Sequence, residues 1–159
     1  MINNKGVTMI ALVITIMVMV IRFGITINSG IEILRGTQLK DTITILSMIK
    51  AKGIGYQEKV DFQAGYDGTK LDEARTTIYQ GEAGLVLITN TAEVSIGLNS
   101  ANANYYVPSV ALEKMGINEE AGDKDYIISF NDTDLSVEVY LVKGYEGKYS
   151  LTDLEGLKL

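Results

Sequence analysis

The first third of the chain carries two apolar patterns in succession. An apolar run without charged residues extends over residues 7–21. Apolar residues then recur at three- to five-residue spacing, at Ile31, Leu34, Leu39, Ile43, Leu46 and Ile49. A continuous apolar run indicates a membrane or deeply buried helix, and the spaced pattern indicates an amphipathic helix. We therefore predict one long helix, apolar in its first half and amphipathic in its second.

The apolar run alone is too short to cross a bilayer. As a helix it measures about 22 Å, against about 30 Å for the hydrocarbon core. Extension to Ile27 supplies the missing length and includes Arg22, whose guanidinium can reach the membrane interface near the outer end. We predict a transmembrane segment over 7–27 and an amphipathic continuation over 28–52.

Helix-breaking residues mark the middle and the end of this long helix. Gly24 and Gly30 each cost about 1 kcal/mol in a helix interior relative to Ala. They predict either a weak or kinked zone or a continuous helix with close-packed glycines, and the sequence leaves both open. Lys50, Lys52 and Gly53 supply terminal cations and a glycine cap, so the helix is predicted to end there.

The rest of the chain, residues 53–159, predicts an α+β head. Short helices are expected at 70–80 and 110–116, the second closed by Gly116. Alternating or β-rich stretches predict strands at 84–89, 93–98, 126–130, 136–142 and 148–151. Short turns between the last three strands predict an antiparallel meander, one face of which packs on the long helix. The expected fold class is α+β, a long N-terminal helix packed against a C-terminal antiparallel β-sheet.

The amino-acid composition excludes several classes of catalytic site and metal site. The 159 residues include neither Cys nor His, which removes disulfides, thiolate metal sites, the usual zinc ligand and histidine-based catalysis. No paired-carboxylate motif replaces them, so we expect no enzyme and no cofactor. Residues 1–52 carry a net charge of +4 and residues 53–159 carry −10. An acidic head repels phosphate backbones, so direct nucleic-acid binding is not expected.

The residues around the apolar run distinguish three kinds of N-terminal segment. A removed secretion signal needs small residues at its cut, yet RFGITINSG follows the run and contains no Ala-x-Ala. A plain single-span anchor remains possible. In the third alternative the cut precedes the apolar run. Lys5 and Gly6 stand directly before Val7. The stretch KGVTMIALVITI, residues 5–16, resembles the class III signal of type IV prepilins and pseudopilins.

The resemblance implies how the chain matures. In that family a membrane-embedded prepilin peptidase cuts after the glycine, which places the cut between Gly6 and Val7. Residues 1–6 are then the leader peptide, with Lys5 as its basic residue, and Val7 becomes the N-methylated first residue. The long helix followed by a C-terminal antiparallel sheet also resembles the pilin fold.

One position departs from the family pattern. The fifth residue after the cut is usually Glu, and here it is Ala11. The family's Glu is thought to attract the N-terminal amine of a neighbouring subunit, which Ala11 cannot do. Cleavage by the peptidase is still expected with Ala at this position. The absence of Glu favours a minor or tip subunit over the major subunit of a filament.

Three further groups of residues have a functional and an ordinary interpretation. Asp123, Asp125, Asp132 and Asp134 are weak calcium candidates, although turn chemistry explains them better, as it does the Asn131-Asp132-Thr133 sequon. The tyrosines Tyr105, Tyr106, Tyr145 and Tyr149 form either a contact patch or, as we favour, strand residues that cover the core. The helix cations Arg35, Lys40, Lys50 and Lys52 either meet acidic heads of neighbouring subunits or are solvated.

The sequence therefore predicts a structural subunit, major or minor, of a type IV pilus-like or type II secretion-like filament. Its expected partners are prepilin peptidase, other pilin subunits and a membrane-embedded assembly machine. It is expected to be a single-pass membrane protein before assembly and part of an extracellular filament afterwards. The alternative is a membrane-anchored extracytoplasmic binding module that does not assemble.

Overall fold

The computed structural model describes residues 36–65, 70–119 and 121–157. The predicted leader, the cut between Gly6 and Val7, Ala11, the span over 7–27 and the glycines Gly24 and Gly30 lie outside these residues. Among the helices that the structure describes, none is both long and apolar enough to cross a membrane. The chain divides into two units, Met1–Lys40 and Asp41–Leu159, and the second holds the sheet.

A long helix, α1, occupies residues 36–64. Beyond Asp41 its buried positions recur mostly every three or four residues, at Leu46, Ile49, Gly53, Tyr56, Gln57, Val60 and Ala64. This spacing places them on one face of the helix, which packs on the sheet. The predicted amphipathic helix is therefore confirmed over its described part.

The predicted helix end at Lys50, Lys52 and Gly53 is wrong, because α1 continues for another eleven residues. Gly53 is buried inside the helix, where a Cβ atom would lie 2.3 Å from Cδ1 of Ile128. It permits close approach of helix and sheet instead of ending the helix. The glycine that follows α1 is Gly65, which has a φ of +59° and donates its N–H to the Asp61 carbonyl at 3.0 Å.

The sheet has five antiparallel strands in sequential order. They are β1 (Val86–Leu87), β2 (Ala103–Tyr106), β3 (Tyr126–Phe130), β4 (Val137–Tyr145) and β5 (Lys148–Ser150). The register pairs Tyr105 with Ile128 and Ile128 with Val139, so these three side chains share one face. All five residues of β3 are buried, as expected for the central strand.

Short helices connect and flank the strands. Helix α2 (Leu71–Arg75) continues into a π-helical segment, Thr76–Glu82, which confirms the helix predicted at 70–80. Helix α3 (Ser109–Lys114) is also as predicted, with Gly116 at a φ of +76° after its end. A C-terminal helix, α4 (Leu151–Glu155), contacts β4 and β5.

The strand predictions differ in outcome. Strands at 126–130, 136–142 and 148–151 and their antiparallel pairing are confirmed, and the strand at 84–89 is present but shorter. The strand predicted at 93–98 is wrong. The Asn90 side chain caps a 3-10 turn there, Thr91–Glu93, and Gly97 takes a φ of +72°, so local turn chemistry overrides the alternation.

Candidate functional site

The first candidate site is the contact between α1 and the sheet. At Gly53 the helix backbone lies against Ile128 and Val137, and a Cβ atom would be 3.1 Å from Cγ1 of Val137. The Nζ of Lys50 lies 3.6 Å from Oε2 of Glu138 on β4, and both side chains are about one-third exposed. An apolar contact and a partly shielded ion pair therefore attach α1 to the head.

A second attachment involves the buried guanidinium of Arg75, at the end of α2. Its side chain is 16% exposed and lies 3.2 Å from Oδ1 of Asp72. It also forms an ion pair with Asp132, in the turn between β3 and β4. Within the described residues, Nε of Arg75 is buried without a hydrogen-bond partner. Arg75 thus joins the helical segment to the sheet through the turn.

Three aromatic rings pack near Arg75. The ring of Tyr79, from the π-helical segment, stacks on Phe130 with centroids 4.1 Å apart and planes 9° apart. Tyr105 meets Tyr79 edge-on at 5.3 Å and Phe130 at 5.9 Å. All three residues are buried. The rings and the ion pair hold residues 71–82 against the same face of the sheet on which α1 packs.

Burial and neighbouring charges shift the pKa values of Asp61 and Arg75. Partial desolvation raises the pKa of Asp61, on α1, and the negative charge of Asp132 raises it further, while Arg75 opposes both. Burial lowers the pKa of Arg75, but the ion pair with Asp132 and the charges of Tyr105 and Asp72 outweigh it, so the pKa is raised. Arg75 therefore remains a cation throughout the accessible pH range.

The fold places the four aspartates of the calcium hypothesis at opposite ends of β3. Asp125 accepts a hydrogen bond from Gly122 N–H at 2.7 Å and pairs with Lys143 at 3.2 Å. Asp132 pairs with Arg75, and Asp134 accepts from Ser136 N–H at 2.9 Å. The length of β3 separates the two ends by about 13 Å. Among residues 36–65, 70–119 and 121–157, no cluster of three acidic residues suits a metal ion.

The sequon residue Asn131 lies in the same turn. Its side-chain oxygen accepts a hydrogen bond from Thr133 N–H at 2.8 Å. Its backbone carbonyl accepts a long bond, 3.4 Å, from Nε2 of Gln57 on α1. These are the contacts of an ordinary Asx turn, which agrees with the turn interpretation of this stretch.

The four tyrosines proposed as a patch do not share one environment. Tyr105 is buried in the aromatic cluster, whereas Tyr106, Tyr145 and Tyr149 are half-buried. Tyr105 therefore covers the core, as the favoured interpretation predicts. Of the helix cations, Lys50 pairs with Glu138, Lys52 is exposed and Arg35 lies outside the described residues.

Buried tyrosines predict that the head loses stability in alkali. Burial raises the pKa of Tyr126 to about 12, and the charges of Glu119 and Asp125 add to the shift; burial also raises the pKa of Tyr79 and Tyr105. A phenol whose folded pKa exceeds its unfolded value of 10.0 contributes stability that is complete below that value and lost as pH rises through the folded pKa.

Denaturant titrations at increasing pH test this expectation. We expect the free energy of unfolding to be level up to about pH 10 and to fall between about pH 10 and 12. Absorbance of tyrosinate follows the same transition. Tyr126→Phe is the matched variant and should show a shallower decline. A free energy that stays level across the interval contradicts the burial of these hydroxyl groups.

The comparisons of this chain with known proteins supply no relative. Neither protein-family models, nor curated proteins, nor solved structures match it.

Proposed function

We propose that this chain is a structural subunit of a type IV pilus-like or type II secretion-like filament, matured by a prepilin peptidase that cuts after Gly6. The observation that carries the proposal is the order of the parts. A Lys5-Gly6 leader precedes an apolar run, and helix α1 then packs on an antiparallel sheet. The α+β architecture is consistent with a pilin-like head.

Assembly follows from these parts in three steps. The precursor inserts with its leader inside and its head outside, and the peptidase removes residues 1–6. An assembly machine then moves subunits from the membrane into a helical filament. The apolar segments 7–27 exchange lipid for contacts with each other. Because lipid tails are as apolar as these side chains, the exchange has little hydrophobic driving force, and close packing must stabilise the filament.

The attachment of α1 to the head has a defined role in this proposal. During extraction, the contacts of α1 with the sheet would keep these two parts of the head together. The contact of Gly53 with Ile128 and Val137 and the Lys50–Glu138 pair resist separation of helix and sheet. The part of α1 beyond Asp41 and the sheet would then stay together during extraction and insertion.

The alternative is an anchored extracytoplasmic module that never assembles. Cell fractionation distinguishes the two. A filament subunit sheared from the cell surface sediments without detergent, far above monomer size. An anchored module stays in the membrane fraction until detergent releases it, and that result would contradict filament assembly.

Gly6→Leu tests the position of the cut. A peptidase requires an extended and accessible backbone, which glycine provides and a branched side chain obstructs. We expect Gly6→Leu to abolish processing, observed as a single unprocessed band in cells that contain a prepilin peptidase. Asn3→Leu, a change of similar size within the leader, should be processed normally. Normal maturation of Gly6→Leu would refute a cut at this peptide bond.

Ala11→Glu tests whether the departure at this position is tolerated in assembly. The substitution restores the family's usual residue, so we expect filament yield to be at least that of the wild type. Ala11→Gln is the uncharged control of similar size. Loss of filaments in Ala11→Glu but not in Ala11→Gln would show that a carboxylate is harmful here, and that Ala11 is not a dispensable departure.

A further inference from the structure

We draw no further inference here: the strongest candidate, the surface patch on the face of α1 turned away from the sheet, where the apolar side chains of Met48, Ile54 and Phe62 are exposed, carries none because nothing in the part of the chain that the structure describes shows what covers it.

Discussion

Gly53→Leu is expected to destabilise the head by about 3 kcal/mol, because it inserts a side chain where the helix touches the sheet. Even the first added carbon would lie 2.3 Å from Ile128 Cδ1 and 3.1 Å from Val137 Cγ1. The remaining carbons of Leu must push α1 away from β3 and β4. Domains are typically stable by about 5–15 kcal/mol, so this loss is a large fraction of the total. Urea denaturation of the full-length chain, followed by tyrosine near-ultraviolet dichroism, measures it.

Gly55 provides the control within the same helix. A Cβ atom at Gly55 meets no atom within 4 Å, so Gly55→Leu should leave stability unchanged or raise it by up to about 1 kcal/mol through helix propensity. Gly53→Ala should have an intermediate effect on the free energy of unfolding. The end of the Ile128 side chain can move, and the higher helix propensity of Ala offsets part of the clash. Equal effects of Leu at positions 53 and 55 would show that α1 does not approach the sheet at Gly53.

Arg75→Met is expected to destabilise the head by about 2 kcal/mol. The substitution keeps much of the apolar stem but leaves Asp132 without its buried cation. Breaking a fully buried pair costs about 3–5 kcal/mol, whereas an exposed pair is worth up to about 1 kcal/mol. The Arg75 side chain is 16% exposed and that of Asp132 is 42% exposed, which places this pair between the two limits.

Lys59→Met is the matched control for Arg75→Met. Lys59 and Glu82 form an ion pair between α1 and the π-helical segment, and their side chains are 54% and 46% exposed. Loss of this pair should cost less than about 1 kcal/mol. If Lys59→Met and Arg75→Met have the same effect on the denaturation midpoint, burial does not strengthen the Arg75 network.

Strands and helices with strong local patterns could be predicted from the sequence. Strand β3 has the predicted limits because YIISF combines β-branched and aromatic residues between clear turn residues. Helix α3 ends near Gly116, which has the positive φ that a glycine cap requires. In these elements local preference and tertiary packing agree.

Elements that depend on distant contacts could not be predicted in the same way. Gly53 resembles a helix cap in sequence, and only the position of Ile128, far along the chain, makes it a packing residue. Strand β2, which the sequence did not predict, contains Asn104, a residue type common in turns, and pairing with Ser129 of β3 holds it in the sheet. Tertiary contacts override local propensity in both cases.

The Arg75 network was also missed, although its sequence contains one indication. Arg75 is a cation within an acidic head and stands four residues before Tyr79, a spacing that places both on one side of a helix. The identity of its partner, Asp132, depends on how the turn after β3 folds back. Sequence spacing does not specify that contact.

Intact mass and N-terminal sequencing of the protein, expressed with and without a prepilin peptidase, test the central claim most directly. The filament proposal predicts a peptidase-dependent loss of residues 1–6, so that the mature chain begins at Val7 and carries an N-methyl group. Retention of Met1 or Ile2 at the N-terminus in both samples would contradict it and identify the apolar run as a plain anchor.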